Sequence, residues 1–298
     1  MCPTRHGFES LDLPIAYYVW DPPDSVPSPE TVILLHGYLD CALSFSPVAD
    51  LLATRYRVIA PDHRGHGESG HIGTGGYYHF PDYILDLAHL FEHLDLQDTR
   101  GAHLVGHSMG ASIACYFAGS FPDRVRSLAL LDGIGPSPVP VERGPALIRR
   151  WVNDVKLSRA RDEAPMSTLD EVAKRLARMS PGATTDRLLA IAAAAVDETV
   201  DGFRWKFDPL HRTTSPIPFD ANRFVHFLSA IRCPSLIIWG ERSPMRPVDA
   251  DERMDLIPGL LRQTLAGAAH NLHHERPLEL AAMLAAFLGG VSATPTPS

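Results

Sequence analysis

Short, nearly unbroken apolar runs recur along this chain, separated by longer stretches whose apolar positions fall three and four residues apart. Residues Thr31–Leu35, 57–60, 102–105, 128–131, 235–239 and Leu261–Leu265 are runs of the first kind. They lack a polar face, so they predict strands of a parallel sheet covered on both sides. Segments 46–54, 82–94, 109–119 and 277–288 have helical length and periodicity, which makes the pattern a repeated strand–helix–strand unit around one sheet. At the front, 8–13 and 15–19 predict a hairpin, and the proline-rich 21–30 a surface loop. Active residues on such a sheet gather at the carboxyl ends of its strands.

The repeat is interrupted once. Roughly a hundred residues separate Asp132 from Cys233, where a sheet-and-helix repeat needs far fewer. Within them 147–157, 169–179, 185–196 and 221–231 read as helices, divided by Pro165, Pro181, Gly182 and the polar, proline-containing 213–218. The prediction is a core of residues 1–132 and 233–298 with a helical cap, 133–232, roofing the site and setting substrate choice. The cap's aromatic residues Trp151, Phe203, Trp205, Phe207 and Phe224 either line an apolar pocket or pack as core, and Trp151 and Trp205 are carried forward as substrate contacts. The tail, 292–298, is expected to be disordered.

Composition narrows the function. A chain of 298 residues with 45% hydrophobic content buries a large core, in keeping with one catalytic domain bearing an insertion. A net charge of -8 argues against nucleic acid, and the absence of a Lys/Arg run argues against an anionic membrane surface. The expected partner is a small, neutral or apolar molecule, with a homodimer left open. Cys2, Cys41, Cys115 and Cys233 are scattered and form no C-x-x-C pair, so they read as reduced thiols of a cytoplasmic protein. The first residues lack an apolar core of the signal-peptide kind, and no run is long enough to span a membrane.

Candidate chemistry begins at Gly106-His107-Ser108-Met109-Gly110, which lies between the run at 102–105 and a small-residue helix. A strand, a G-x-S-x-G turn and a helix together hold a serine on a sharp elbow, so Ser108 is the candidate nucleophile. The apolar Thr31–Leu35 ends at His36-Gly37-Tyr38, and Gly267-Ala268-Ala269-His270-Asn271 delivers a histidine shortly before the last helix. Fifteen histidines invite a metal reading, but none of His63, His66, His71, His273 and His274 falls in H-E-x-x-H spacing or with a cysteine partner set. Gly73-Thr74-Gly75-Gly76 follows no strand and lacks a lysine, so it reads as a turn and not a phosphate loop.

With these residues in view, and with Asp62-His63-Arg64-Gly65-His66-Gly67-Glu68-Ser69 resembling the turn after the fourth strand, the chain resembles the α/β-hydrolase superfamily from about Phe8 to about Leu288. The resemblance implies an α/β fold with a mostly parallel eight-stranded sheet flanked by helices, and neither cofactor nor metal. It implies His270 as the base, and the backbone N–H groups of Tyr38 and Met109 as the oxyanion hole. Their side chains are thereby left to contact substrate. His36 resembles the histidine that braces the oxyanion loop, and His107 is expected to pack.

One position departs from the family. Where Gly-x-x-Asp-x-x-x-Pro usually carries the third triad member, this chain reads Gly240-Glu241-Arg242-Ser243-Pro244-Met245-Arg246-Pro247. A serine cannot carry the charge that stabilises a histidinium. Asp132, after the strand preceding the cap, is the best substitute; Glu241, Asp249 and a dyad without an acid are the alternatives. The expected activity is hydrolysis of an ester, thioester or lactone of a small, largely apolar acid through an acyl-enzyme. Carbon–carbon bond hydrolysis or lyase chemistry on the same residues, and a non-catalytic ligand binder, remain the other readings.

Overall fold

Each run predicted as a strand forms one, and the inner ones are covered on both sides, as residues without a polar face require. Leu261–Leu265 departs from that expectation, since it is an edge strand whose first four residues, Arg262, Gln263 and Thr264 among them, are exposed. The computed structural model describes residues 2–96, 101–160 and 164–292. Its core strands are β1 (Thr4–Ser10), β2 (Leu13–Trp20), β3 (Thr31–Leu35), β4 (Arg57–Pro61), β5 (Ala102–His107) and β6 (Val125–Leu131), joined much later by two more. The intervening helices are α1 (Ser46–Leu52), α2 (Phe80–His93) and α3 (Met109–Ser120). After β6 come α4 (Gly144–Ala160), α5 (Leu169–Ala177), α6 (Thr185–Ala195), a hairpin of β7 (Val196–Thr199) and β8 (Gly202–Trp205), and α7 (Ala221–Ser229). The chain then returns through β9 (Ser235–Gly240), α8 (Ala250–Asp255), β10 (Leu261–Leu265), α9 (Leu272–Glu275) and α10 (Pro277–Ser292).

The eight-stranded sheet has the order β1-β2-β4-β3-β5-β6-β9-β10. β1, β2 and β4 pair antiparallel, and every pairing from β4 through β10 is parallel. Two apolar layers cover it. One packs α2, α3 and α7 against Ile33, Leu104, Leu128 and Ile237, and the other packs α1 and α10 against Val32, Val105, Ala129 and Ile238. Successive residues of a strand point to opposite faces, so each buried strand feeds both layers.

Between β6 and β9 the chain builds a small core of its own around Met166, Val172, Leu188, Ala192 and Val196. Its helices fall where periodicity places them, but it also contains the β7–β8 hairpin, which the helical expectation misses. Each of these strands is four residues long, too short for alternation to register against the preceding helix. The expectation of a disordered tail over 292–298 does not hold at Ser292, which ends α10, and otherwise falls on 293–298, outside the described residues. Among the described residues no helix is long and apolar enough to cross a membrane, and all four cysteines are free.

Candidate active site

Strand ends of the parallel sheet deliver the polar residues. β5 runs directly into Ser108, which adopts φ 52° and ψ −110° before α3 begins. A non-glycine residue is rarely found at positive φ, and neighbouring contacts must hold it there. Packing explains why glycine flanks it. A Cβ on Gly106 would lie 2.4 Å from the carbonyl oxygen of Gly110, and one on Gly110 would lie 2.2 Å from that of Leu35. The elbow is pressed against its own helix and against the end of β3.

Asp132, at the tip of β6, also has positive φ, 47°. Its main-chain N–H donates to Ile238 O at 2.9 Å, and its Oδ1 accepts the Gly240 N–H at 2.8 Å. These contacts with β9 hold the carboxylate facing His270. His270 Nδ1 lies 2.6 Å from Asp132 Oδ2, and His270 Nε2 lies 3.0 Å from Ser108 Oγ. The Asp132 side chain is wholly buried and that of His270 is 10% exposed. In this geometry an imidazole donating from Nδ1 to the carboxylate can take the serine's proton at Nε2.

Ser243 has a place in this network although it cannot replace the acid. Its hydroxyl donates to Asp132 Oδ2 and accepts the Met245 N–H at 3.2 Å. The loop after β9 thus helps to hold the Asp132 carboxylate, which is borne by the neighbouring strand. Sequence reading finds the substitution but not this bond, because 111 residues separate the partners. The other carboxylates considered are engaged elsewhere. Glu241 Oε2 accepts the Gly267 N–H at 2.7 Å, and Asp249 Oδ2 pairs with Arg253 at 2.8 Å.

The segment after β3 lies against the elbow. A Cβ on Gly37 would be 3.5 Å from Ser108 Cβ and 2.6 Å from His107 Nδ1. His36 is fully buried, donates from Nδ1 to Gly37 O at 2.8 Å and accepts the His63 N–H on Nε2 at 2.9 Å, so it braces this segment. The Tyr38 hydroxyl donates to His211 O, tying the segment to the insertion. Met109 opens α3, so its N–H has no intrahelical acceptor. Its side chain is partly buried against the main core.

His107, inside the elbow, donates from Nε2 to the His270 carbonyl at 2.9 Å, and burial drives its imidazole well below the ordinary histidine range. It stays neutral and holds the backbone of the residue beside Asp132. Trp151, on α4, meets the Tyr77 ring edge-on at 5.6 Å, and Trp205, on β8, stacks on Phe207 at 5.5 Å. Neither ring stacks on or hydrogen-bonds to Ser108 or His270 among the described residues. Phe224 is fully buried in the main core.

Comparison with known proteins agrees with this architecture. The family model for the alpha/beta hydrolase fold matches residues 30–277. The chain is 28% identical over 224 residues to a serine hydrolase-like protein of Danio rerio, an alignment covering 74% of this chain and 66% of that protein. A hypothetical protein from Pseudomonas aeruginosa PAO1 has a solved structure similar at TM-score 0.84 and 26% identity, over 97% of this chain and 99% of that one. A thioesterase domain from the curacin biosynthetic pathway is similar at TM-score 0.83 and 25% identity, over 95% and 99%.

Proposed function

The chain belongs to the alpha/beta hydrolase fold family, and from that premise we propose that it is a serine hydrolase cleaving an ester, thioester or lactone of a small, largely apolar acid through an acyl-enzyme. The observation that carries this reading is the continuous hydrogen-bonded line from Ser108 Oγ through His270 to Asp132, with links of 3.0 and 2.6 Å. Ser108 Oγ attacks the substrate carbonyl while His270 Nε2 takes its proton. As the tetrahedral intermediate collapses, His270 returns that proton to the departing alcohol or thiol. Water, deprotonated by the same nitrogen, then releases the acid. Throughout, the buried charge of Asp132 stabilises the imidazolium and fixes its tautomer.

The oxyanion formed in each half-reaction falls to the N–H groups of Met109 and Tyr38. A helix N-terminus also favours negative charge, which adds to the Met109 donor. One such donor contributes about 3 kcal/mol to transition-state stabilisation. The exposed Tyr38 ring, the Met109 side chain and the insertion's Trp151 and Trp205 supply the apolar substrate contacts in this reading. The likeness to a thioesterase domain keeps thioesters within the substrate class.

A fluorophosphonate probe tests the proposal, since it reacts only with an activated serine. The expected outcome is a single adduct on the Ser108 peptide, abolished in Ser108→Ala. An unlabelled folded protein would favour the binding-protein reading instead.

A further inference from the structure

The turn after His270 carries buried polar side chains that the proposed reaction does not use. His273 and His274, on α9, are 0% and 2% exposed. Both direct Nε2 at one carboxylate oxygen, Asp40 Oδ2, at 3.1 and 3.5 Å. Ser44 Oγ joins them, 2.8 Å from that oxygen and 3.2 Å from His273 Nε2. The ligating atoms of Asp40, His273 and His274 all lie within 4.8 Å of one another.

Hydrogen bonding does not exhaust this cluster. Asp40 Oδ2 accepts from Ser44 and from His273, but His274 Nε2 is buried with no hydrogen-bond partner. The other nitrogen of His274 is held at 2.9 Å by Ser180 Oγ, which also accepts from Asn271 Nδ2 at 2.9 Å. When Nδ1 carries the proton toward Ser180, Nε2 aims a lone pair at a carboxylate oxygen. In that tautomer a cation can sit between the two; with Nε2 protonated the same atoms form an ion pair at 3.5 Å.

Two of the three ligand-atom separations have the right size, and the third lies within 4.8 Å. Ligand atoms bound at about 2.0–2.1 Å to one tetrahedral ion lie about 3.3 Å apart, and the separations of 3.1 and 3.5 Å bracket that value. We propose that Asp40 Oδ2, His273 Nε2 and His274 Nε2 form a binding site for one divalent first-row transition-metal ion of the zinc class, with Ser44 Oγ or water as a further ligand. Two imidazoles with one carboxylate suit such an ion, whereas magnesium and calcium prefer oxygen throughout. Ser180 plays the orienting part on the second nitrogen of His274; His273 ligates only after its proton moves from Nε2 to Nδ1, which is buried and has no such partner.

The ion's role is structural. Asp40 follows the Tyr38 segment, His273 and His274 follow His270, and Ser180 belongs to the insertion, so one ion ties all three together. His273 lies with its ring 4.6 Å from that of His107, which is in turn 4.7 Å from that of His270. Sequence spacing hides the site because Asp40 and His273 are 233 residues apart.

The test uses the untagged full chain, stripped with EDTA and titrated with Co2+, reading visible d–d absorption and metal content, and then melting with added Zn2+. The expected result is one Co2+ per chain with the intense visible bands of a low-coordinate site, and a melting temperature raised by Zn2+ as a ligand specific for the folded state raises it. Ser180→Ala, which removes the partner on His274 Nδ1, lowers Co2+ affinity by about ten- to a hundredfold, and His274→Gln and Asp40→Asn, which remove ligands, each lower it further. Wild type that takes up no stoichiometric Co2+, or both folded ligand variants binding as tightly as wild type, overturns the proposal. If the variants fold poorly, X-ray absorption of the wild-type Co2+ complex decides: imidazole scattering supports the site, and an all-oxygen shell overturns it.

Discussion

Asp132→Asn removes the charge at the end of the relay while keeping the shape of the side chain. In the parent the carboxylate meets Gly240 N–H on Oδ1 at 2.8 Å, with His270 Nδ1 at 2.6 Å and the Ser243 hydroxyl on Oδ2. The amide keeps one acceptor oxygen, and the Gly240 N–H, fixed at the end of β9, claims it. The NH2 group then faces His270 Nδ1, which must accept instead of donate. The imidazole proton moves to Nε2, where it points at Ser108 Oγ and blocks proton removal. Loss of tautomer and charge together is expected to lower kcat by about ten-thousandfold, which is about 5 kcal/mol at the barrier. Hydrolysis of p-nitrophenyl butyrate near neutral pH measures this, and circular dichroism with thermal melting checks the fold. Adding Ser243→Asp returns part of the activity, because the residue 243 hydroxyl already reaches Asp132 Oδ2 and a carboxylate there can approach the same nitrogen. A folded Asp132→Asn within about tenfold of the parent, a change of only about 1.4 kcal/mol, would refute the reasoning; a dead Glu241→Gln or Asp249→Asn would then locate the acid.

Three further perturbations probe separate parts of the site. Ser243→Ala removes one hydrogen bond to a charged group, worth about 1.5–3 kcal/mol of stability, so the melting temperature should fall and kcat should fall by less than the full equivalent of that energy; unchanged melting and turnover would leave that hydroxyl without a part in holding Asp132. Gly37→Ala places a methyl 2.6 Å from the buried His107 Nδ1, so the fold should lose about 1–3 kcal/mol, and by shifting the Tyr38 donor kcat should drop by about a hundredfold or more; normal kcat in the folded variant would remove that segment from the oxyanion hole. Burial pushes His211 and His103 down to about 4, whereas the unfolded chain titrates them near 6.5. Below that pH the unfolded chain therefore binds more protons, and stability present above pH 6.5 is lost as pH falls toward 4, by about 1.4 kcal/mol per pH unit for each group. Urea unfolding across this range should show the decline, with a shallower slope in His211→Gln; a flat profile would contradict it.

The sheet was legible because parallel strands covered on both faces cannot hide their apolar runs, and the elbow because its glycines answer to local crowding. The need for an acid elsewhere followed from Ser243, which cannot carry a charge, whereas Asp132 in particular rested on the family resemblance, with Glu241, Asp249 and a dyad left open. The hydroxyl of Ser243 on that carboxylate was not legible, nor was the meeting of Asp40 with His273 and His274. These pairs join distant stretches through loop geometry, and no local period records them. The β7–β8 hairpin was missed for the opposite reason: the small core of the insertion fixes a short strand whose own sequence, Gly202–Trp205, carries too few residues to declare it.

The most direct test of the central claim is the mass of the intact protein caught during turnover. A slowly deacylating aryl ester, quenched in acid after mixing, should leave one acyl group per chain, mapped to the Ser108 peptide and missing from Ser108→Ala. Turnover with no acylated protein, or an acyl group on any other residue, would contradict Ser108 as the nucleophile and the acyl-enzyme route with it.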